Sequence, residues 1–191
     1  MNTTRSHLPF LKFFQDQLHP ISNSSTSVSS SPVALPFFNE PISIYTSAVV
    51  TFHAPSDLCG TQGECIHAVD SWRQGPGHLN CAFVNMNLDT QGMLGLDVAH
   101  VQLLFSFTFC GKFYPCTLVH WFSEVGDIPD EDTGMWTVHH NLDADGSPAT
   151  AILHLNPMVH TAHLVGVWEE VLAEGPFARP ITQHILIILC Q

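Results

Sequence analysis

Residues 98–122 read VAHVQLLFSFTF, then CGK, then FYPCTLVHWF from Phe113, and this stretch restricts the fold more than any other. Apolar side chains alternate through VQLLFSFTF. An extended chain there places Val101, Leu103, Phe105, Phe107 and Phe109 on one face, the period of a half-buried strand. Cys110-Gly111-Lys112 forms a tight turn into the second run, so the two runs read as a β-hairpin.

Other segments repeat the pattern. ISIYTSAVVTFHA (42–54) is rich in β-branched and aromatic residues and reads as one strand ending at Pro55-Ser56-Asp57. CAFVNMN (81–87) reads as another, and MWTVHH (135–140) and SPATAILHL (147–155) flank LDADG as a second hairpin. The Gly- and Pro-dense stretch CGTQGECIHAVDSWRQGPGH (59–78) reads as loop, with one short helix from Glu64 to Trp72. Eight of ten residues from Ser22 to Ser31 are Ser or Thr, which cannot bury enough apolar area to offset the entropy of ordering. The expected organisation is a disordered tail over 1–32, a β domain over 33–170, and a C-terminal tail or last strand or helix over 171–191. The fold class is mainly β: a single small barrel-like domain with short helices.

The 191 residues suit one domain, with 45% apolar and only 12% charged residues. Five Lys and Arg against seventeen Asp and Glu give a net charge of −12, most of it in the second half. Nucleic-acid binding relies on Lys and Arg neutralising phosphates, so this balance argues against a direct nucleic-acid partner. The six Cys show no staple-like spacing, and Lys12 and Gln15 interrupt any secretory apolar core. ILIILC (185–190) falls far short of the roughly 20 residues of a membrane span. A nuclear or cytoplasmic protein, neither secreted nor membrane-bound, is expected.

Several constellations are candidates for chemistry. DIPDEDTGMW (127–136) crowds Asp127, Asp130, Glu131 and Asp132 onto one Pro-containing loop. Two-metal chemistry needs carboxylates converging from separate elements, so a solvated inter-strand loop is the plainer reading. In NLDADGSPATAI, Asn141, Asp143, Asp145 and Gly146 match the start of a calcium loop, but Ile152 stands where a bidentate Glu belongs. Cys59, Cys65, His67 and Cys81 could surround a zinc ion, although the usual C-x2-C pair is missing, and no cofactor is expected. Cys116 and His120 could pair as nucleophile and base, but strand positions i and i+4 lie too far apart for a direct hydrogen bond. Tyr114, Trp121, Phe122 and Trp136, with Asp130 and Asp132, are the binding candidates. The aromatics could line a cage for a methylated lysine, or simply pack in the core.

Taken in order, SAVVTFHAPSDLCG (47–60), DSWRQGPG (70–77), CAFVN (81–85), GLDVAHVQLLFSF (95–107), YPCTLVHWF (114–122), PDEDTGMWTV (129–138), DADGSPATAILHL (143–155) and TAHLVGVW (161–168) carry a likeness. The chain resembles, over about residues 44–168, a region of fungal Plavaka-type transposase-like proteins of the Kyakuja, Dileera and Zisupton group. That resemblance implies an accessory segment lying after a ribonuclease-H-like Asp-Asp-Glu nuclease core, of which nothing is recognisable here. It therefore implies a non-catalytic accessory or protein-interaction domain, not an enzyme, with other transposase or chromatin proteins as partners. A DNA-binding module and a metal-dependent hydrolase using the Asp, His and Cys residues are the alternatives. His139-His140 depart from the family's Arg-Pro, and the likeness fades past Trp168, as in a truncated copy. The strand order, with Trp121-Phe122 ending one strand, is also similar to bromo-adjacent-homology domains, a fold-level analogy that assigns no site.

Overall fold

The computed structural model describes residue 13 and residues 40–53, 60–86, 95–167 and 184–188. Its spine is the expected hairpin, and it is long: β6 (Leu96–Phe109) and β7 (Lys112–Glu124), in a chain-order numbering whose other members are given below. The loop between them is two residues, Cys110 and Gly111, with φ of 49° and 77°. Two consecutive left-handed residues give the turn a twist matching that of the strands it joins.

Around this spine stand β1 (Ser43–Tyr45), β5 (Cys81–Asn85), β8 (Trp136–His140), β9 (Thr150–His154), β10 (Met158–Val167) and β11 (His184–Ile188). They form one antiparallel eight-stranded sheet in the order β1-β6-β5-β10-β11-β8-β7-β9. Because β6 also pairs with β7, the neighbours run in a circuit, and the sheet curls into a half-barrel. A second sheet of β2 (Ser47–His53), β3 (Thr61–Val69) and β4 (His78–Leu79) lies against its outside. The domain is mainly β, as the alternation predicts. The expected short helices are absent among residues 40–188 that are described, where every named element is a strand.

Two hydrophobic faces follow from the period of two. Ala82, Val84, Ala99, Val101, Leu104 and Val119 point outward onto Val50, Ile66 and Ala68 of the small sheet. Phe83, Val98, Phe122, Trp136, Val138 and Ala162 cluster on the other side of the curl. Its members come from β5, β6, β7, β8 and β10, strands spread around the circuit, so the cluster fills the inside of the half-barrel. At the hairpin tip Phe105, Phe107, Tyr114 and Cys116 form a third cluster, onto which Phe13 packs edge-on to Phe107 and Tyr114 at 6.3 and 6.5 Å.

Four local expectations are corrected. The single strand expected over 42–54 is two strands, β1 and β2, within residues 43–53, because the chain crosses from the curled sheet to the small one at Thr46, whose carbonyl accepts from the Ala68 N–H. The helix expected over 64–72 is strand β3, paired with β2 from Ser47–His67 to His53–Thr61; burial of Ile66 and Ala68 follows the period of two and overrides local helix preference. MWTVHH and SPATAILHL do not form a hairpin. β8 pairs with Phe122–Glu124 and β9 with Cys116–His120, so they lie end to end along one edge of β7. The DADG turn between them closes over a few residues only, through the Leu142–Pro148 bridge and the backbone bonds from the Asp143 N–H to Ser147 and from the Ala149 N–H to Asn141, and the long β7 edge offers each flanking strand more partners than the other could. Finally, Val101 does not share a face with Leu103. A β-bulge at Gln102 shifts the register from Val101–Val119 to Leu103–Leu118, which reverses the parity of β6. Leu103, Phe105, Phe107 and Phe109 keep one face, while Val101 joins Leu104 on the other. The buried Thr117 hydroxyl donates to the Leu103 carbonyl at 3.1 Å, tying down the backbone beside the bulge.

The Ser-rich stretch, Cys59 and most of the C-terminal segment expected as a tail lie outside the described residues.

Candidate functional site

The β6–β7 ladder ends at the pair Ala99–Trp121. Beyond it the strands fork: residues 96–98 stay with β5, and residues 122–124 stay with β8. The fork is the seam of the half-barrel, and it encloses a cavity of about 310 Å³. Its wall is the edge of the interior cluster, Val98, Phe122 and Val138, joined by Trp121. Its rim carries Asp97 on one prong and Glu124 on the other, with Ser123 and Asn141 alongside. Asn141 is held by its N–H donating to the Trp121 carbonyl at 2.9 Å.

The electrostatics of the rim are one-sided. Burial pushes the Asp97 carboxyl above its ordinary range. Burial likewise raises Glu124, reinforced by repulsion from Asp97 and from Asp127 on the following turn. No cation among the described residues opposes either group. Two solvent-exposed carboxylates thus stand at the edge of an apolar wall with no cation between them, an arrangement that a cation with an aliphatic stem would complete.

Beyond Phe122 lies a row of imidazoles. His100 and His120 face each other across the β6–β7 ladder, and the His140 ring lies 4.7 Å from Phe122. Burial lowers both His100 and His120 below the ordinary imidazole value, and neighbouring imidazoles lower them further: His120 and His140 for the first, His140 for the second. Both favour the neutral form in the fold. Stability from this row is therefore complete above about pH 6.5 and is lost as pH falls below that value toward the depressed folded pKa. The melting temperature is expected to drop between pH 7.5 and 5.5, and a His100→Asn/His120→Gln variant to drop less over the same interval. Equal slopes for the two proteins would remove the imidazole row as the cause.

The residues singled out from sequence are dispersed. Trp121 and Phe122 line the cavity from opposite faces of β7. Trp136 is buried in the interior cluster, and Tyr114 lies at the far hairpin tip, stacked on Phe107 at 5.2 Å with the Lys112 ammonium over its ring. The four aromatics do not converge into a cage. Asp130 and Asp132 sit on the exposed loop between β7 and β8. There Asp130 accepts from the Thr133 N–H and hydroxyl at 2.8 and 2.7 Å, which hold its carboxyl below the usual range. Both bonds fall on Oδ1, so this oxygen serves to shape the turn.

Cys65 is exposed on β3, whereas the Cys81 thiol on β5 is pushed up to about 12 by burial. Among the described residues no group of three or more His, Cys, Asp or Glu is arranged to hold a metal ion. Cys116 is fully buried and its thiol is likewise pushed up to about 12, the reverse of an activated nucleophile. Missed by sequence reasoning were Asp97, Glu124 and Ser123, while Asn141 was singled out only as the start of a calcium-loop pattern. For Asp97 and Glu124 the only signal was a carboxylate at the beginning or end of a long apolar strand, and Ser123 had none.

Compared with protein-family models, curated proteins and solved structures, the chain matches none. Fold and site together define a mainly β half-barrel domain with an acidic cleft at its seam.

Proposed function

We propose that this chain is a non-catalytic protein-interaction domain, derived from a DNA transposon, whose seam cleft receives a lysine side chain of a basic partner protein. The transposon origin rests on the ordered motifs between residues 44 and 168. The cleft carries the binding reading: Asp97 and Glu124 stand over Val98, Phe122 and Val138 without an internal cation. A lysine supplies what is missing, four methylenes for the wall and an ammonium for the rim. The net charge of −12 adds long-range attraction for a basic partner.

The test is a calorimetric titration with a short lysine-containing peptide and with the same peptide carrying glutamine instead. Only the lysine peptide is expected to bind, and Asp97→Asn/Glu124→Gln is expected to weaken it by about tenfold or more, the scale of a lost charge-assisted contact. Binding that survives the double substitution would defeat the assignment. The origin is checked separately, by reading the genomic DNA upstream for a frame encoding the nuclease core.

A further inference from the structure

The β3–β4 hairpin carries a second cluster, on other elements and of opposite character. His67 of β3 and His78 of β4 stack with ring centroids 5.1 Å apart and planes 27° apart. Trp72, in the connecting loop, lies 5.2 Å from the first ring and 5.6 Å from the second. The Arg73 guanidinium sits 5.7 Å from the centre of the indole. Three π-systems and a cation thus meet at one hairpin end, where Trp72 is 40% exposed.

The loop that presents them is tightly determined. The Trp72 N–H donates to the Pro76 carbonyl, the Gly75 N–H to the Trp72 carbonyl at 2.9 Å, and the Ser71 hydroxyl to the Gly75 carbonyl at 3.0 Å. Arg73 and Gln74 both adopt left-handed backbone, φ 50° and 65°, which costs free energy for residues with side chains. At Gly77 a Cβ would come within 2.9 Å of the Val69 carbonyl, so only glycine fits. On the inner side the Asn80 side-chain carbonyl accepts from the His67 N–H at 2.7 Å. Ordering the loop in advance reduces the entropy it must lose when a ligand binds.

The chemistry narrows the occupant. Arg73 repels a cation, and the exposed part of the Trp72 indole suits a planar group rather than an aliphatic one. A ring carrying negative charge satisfies both features. The Asn80 amide nitrogen and His78 Nε2, hydrogen-bonded to each other at 3.5 Å, stand beside the rings as polar groups; the second amide hydrogen of Asn80 remains for a nucleobase edge, whereas a phenyl ring cannot use it. The net charge of −12 opposes a polymer of phosphates, which favours a single nucleotide unit.

We propose that Trp72 and Arg73, backed by His67 and His78, form a binding site for a nucleoside monophosphate, the base stacked on the exposed indole and the phosphate on the guanidinium. The site is independent of the lysine cleft, and either can fail without the other.

Titrating the full chain with AMP, adenosine, inorganic phosphate and phosphotyrosine, followed by ligand-observed NMR, tests it. AMP is expected to saturate, with adenosine and phosphate each weaker by about tenfold, in line with separate stacking and charge contributions. Trp72→Ala and Arg73→Ala should each weaken AMP by about tenfold, while Trp72→Phe retains most of the binding. Far-UV circular dichroism of the variants establishes that they fold. Failure of AMP to saturate, AMP binding unchanged in folded Trp72→Ala, or binding of phosphate alone or phosphotyrosine as tight as that of AMP would each overturn the proposal.

Discussion

Phe83→Ala is expected to lower the unfolding free energy by about 3–5 kcal/mol, the range for removing a large aromatic from a packed interior. Phe83 is fully buried, pairs with Val98 across the β5–β6 ladder, and packs inside the half-barrel with Phe122, Trp136 and Val138. The His160 ring, 4.9 Å away, loses its partner as well. A domain of ordinary stability has roughly 5–15 kcal/mol in total, so the variant should retain a small margin and melt roughly 10 °C lower. Phe83→Leu keeps most of the volume and should cost far less. Urea denaturation of the three proteins measures the effect, and a loss under about 0.5 kcal/mol for the alanine variant would mean that this cluster is not the core.

The second large effect is expected at Glu64. Its carboxylate, on β3, reaches β10 where the β10–β5 register shifts between Met158 and Thr161, and it accepts from both the N–H and the hydroxyl of Thr161. Thr161 is buried, so Glu64→Ala leaves two donors short of partners, at a cost of about 2–4 kcal/mol. Glu64→Gln keeps one acceptor oxygen and should recover about half of that. Thr161→Val combined with Glu64→Ala should cost less than the two single changes added together, since both remove the hydroxyl–carboxylate bond. Strict additivity in that double-mutant cycle would show that the contact does not contribute. Because Glu64 joins the small sheet to the curled one, Glu64→Ala should also weaken cohesion between the two.

Much of this fold can be read directly from the residues. The long hairpin of β6 and β7 is announced by alternation and by a turn whose second residue is glycine, both consequences of backbone sterics within a few residues. The exposed loop through Asp130 follows in the same way from its Pro, Gly and Asp content. Where readings failed, the deciding interaction was distant. β3 resembles a loop or helix in isolation and becomes a strand because β2 pairs along its whole length. The face of Val101 was misassigned because one extra residue, Gln102, reverses parity, and nothing in the local letters marks a bulge. The candidate cleft was half legible: Trp121 and Phe122 stand out as aromatics, but Asp97 and Glu124 gain significance only where the two strands part.

The amino-acid sequence by itself determined that this chain builds strands, where its main turn falls, and that its charge is negative, because those properties depend on neighbours within a few residues and on simple counting. Tertiary structure decided which strands became partners, which face each side chain took past the bulge, and where carboxylates 27 positions apart came to share one cavity. The physical reason is that pairing register and burial are settled by competition among many possible edges across the whole chain, and a short segment contains no information about its rivals.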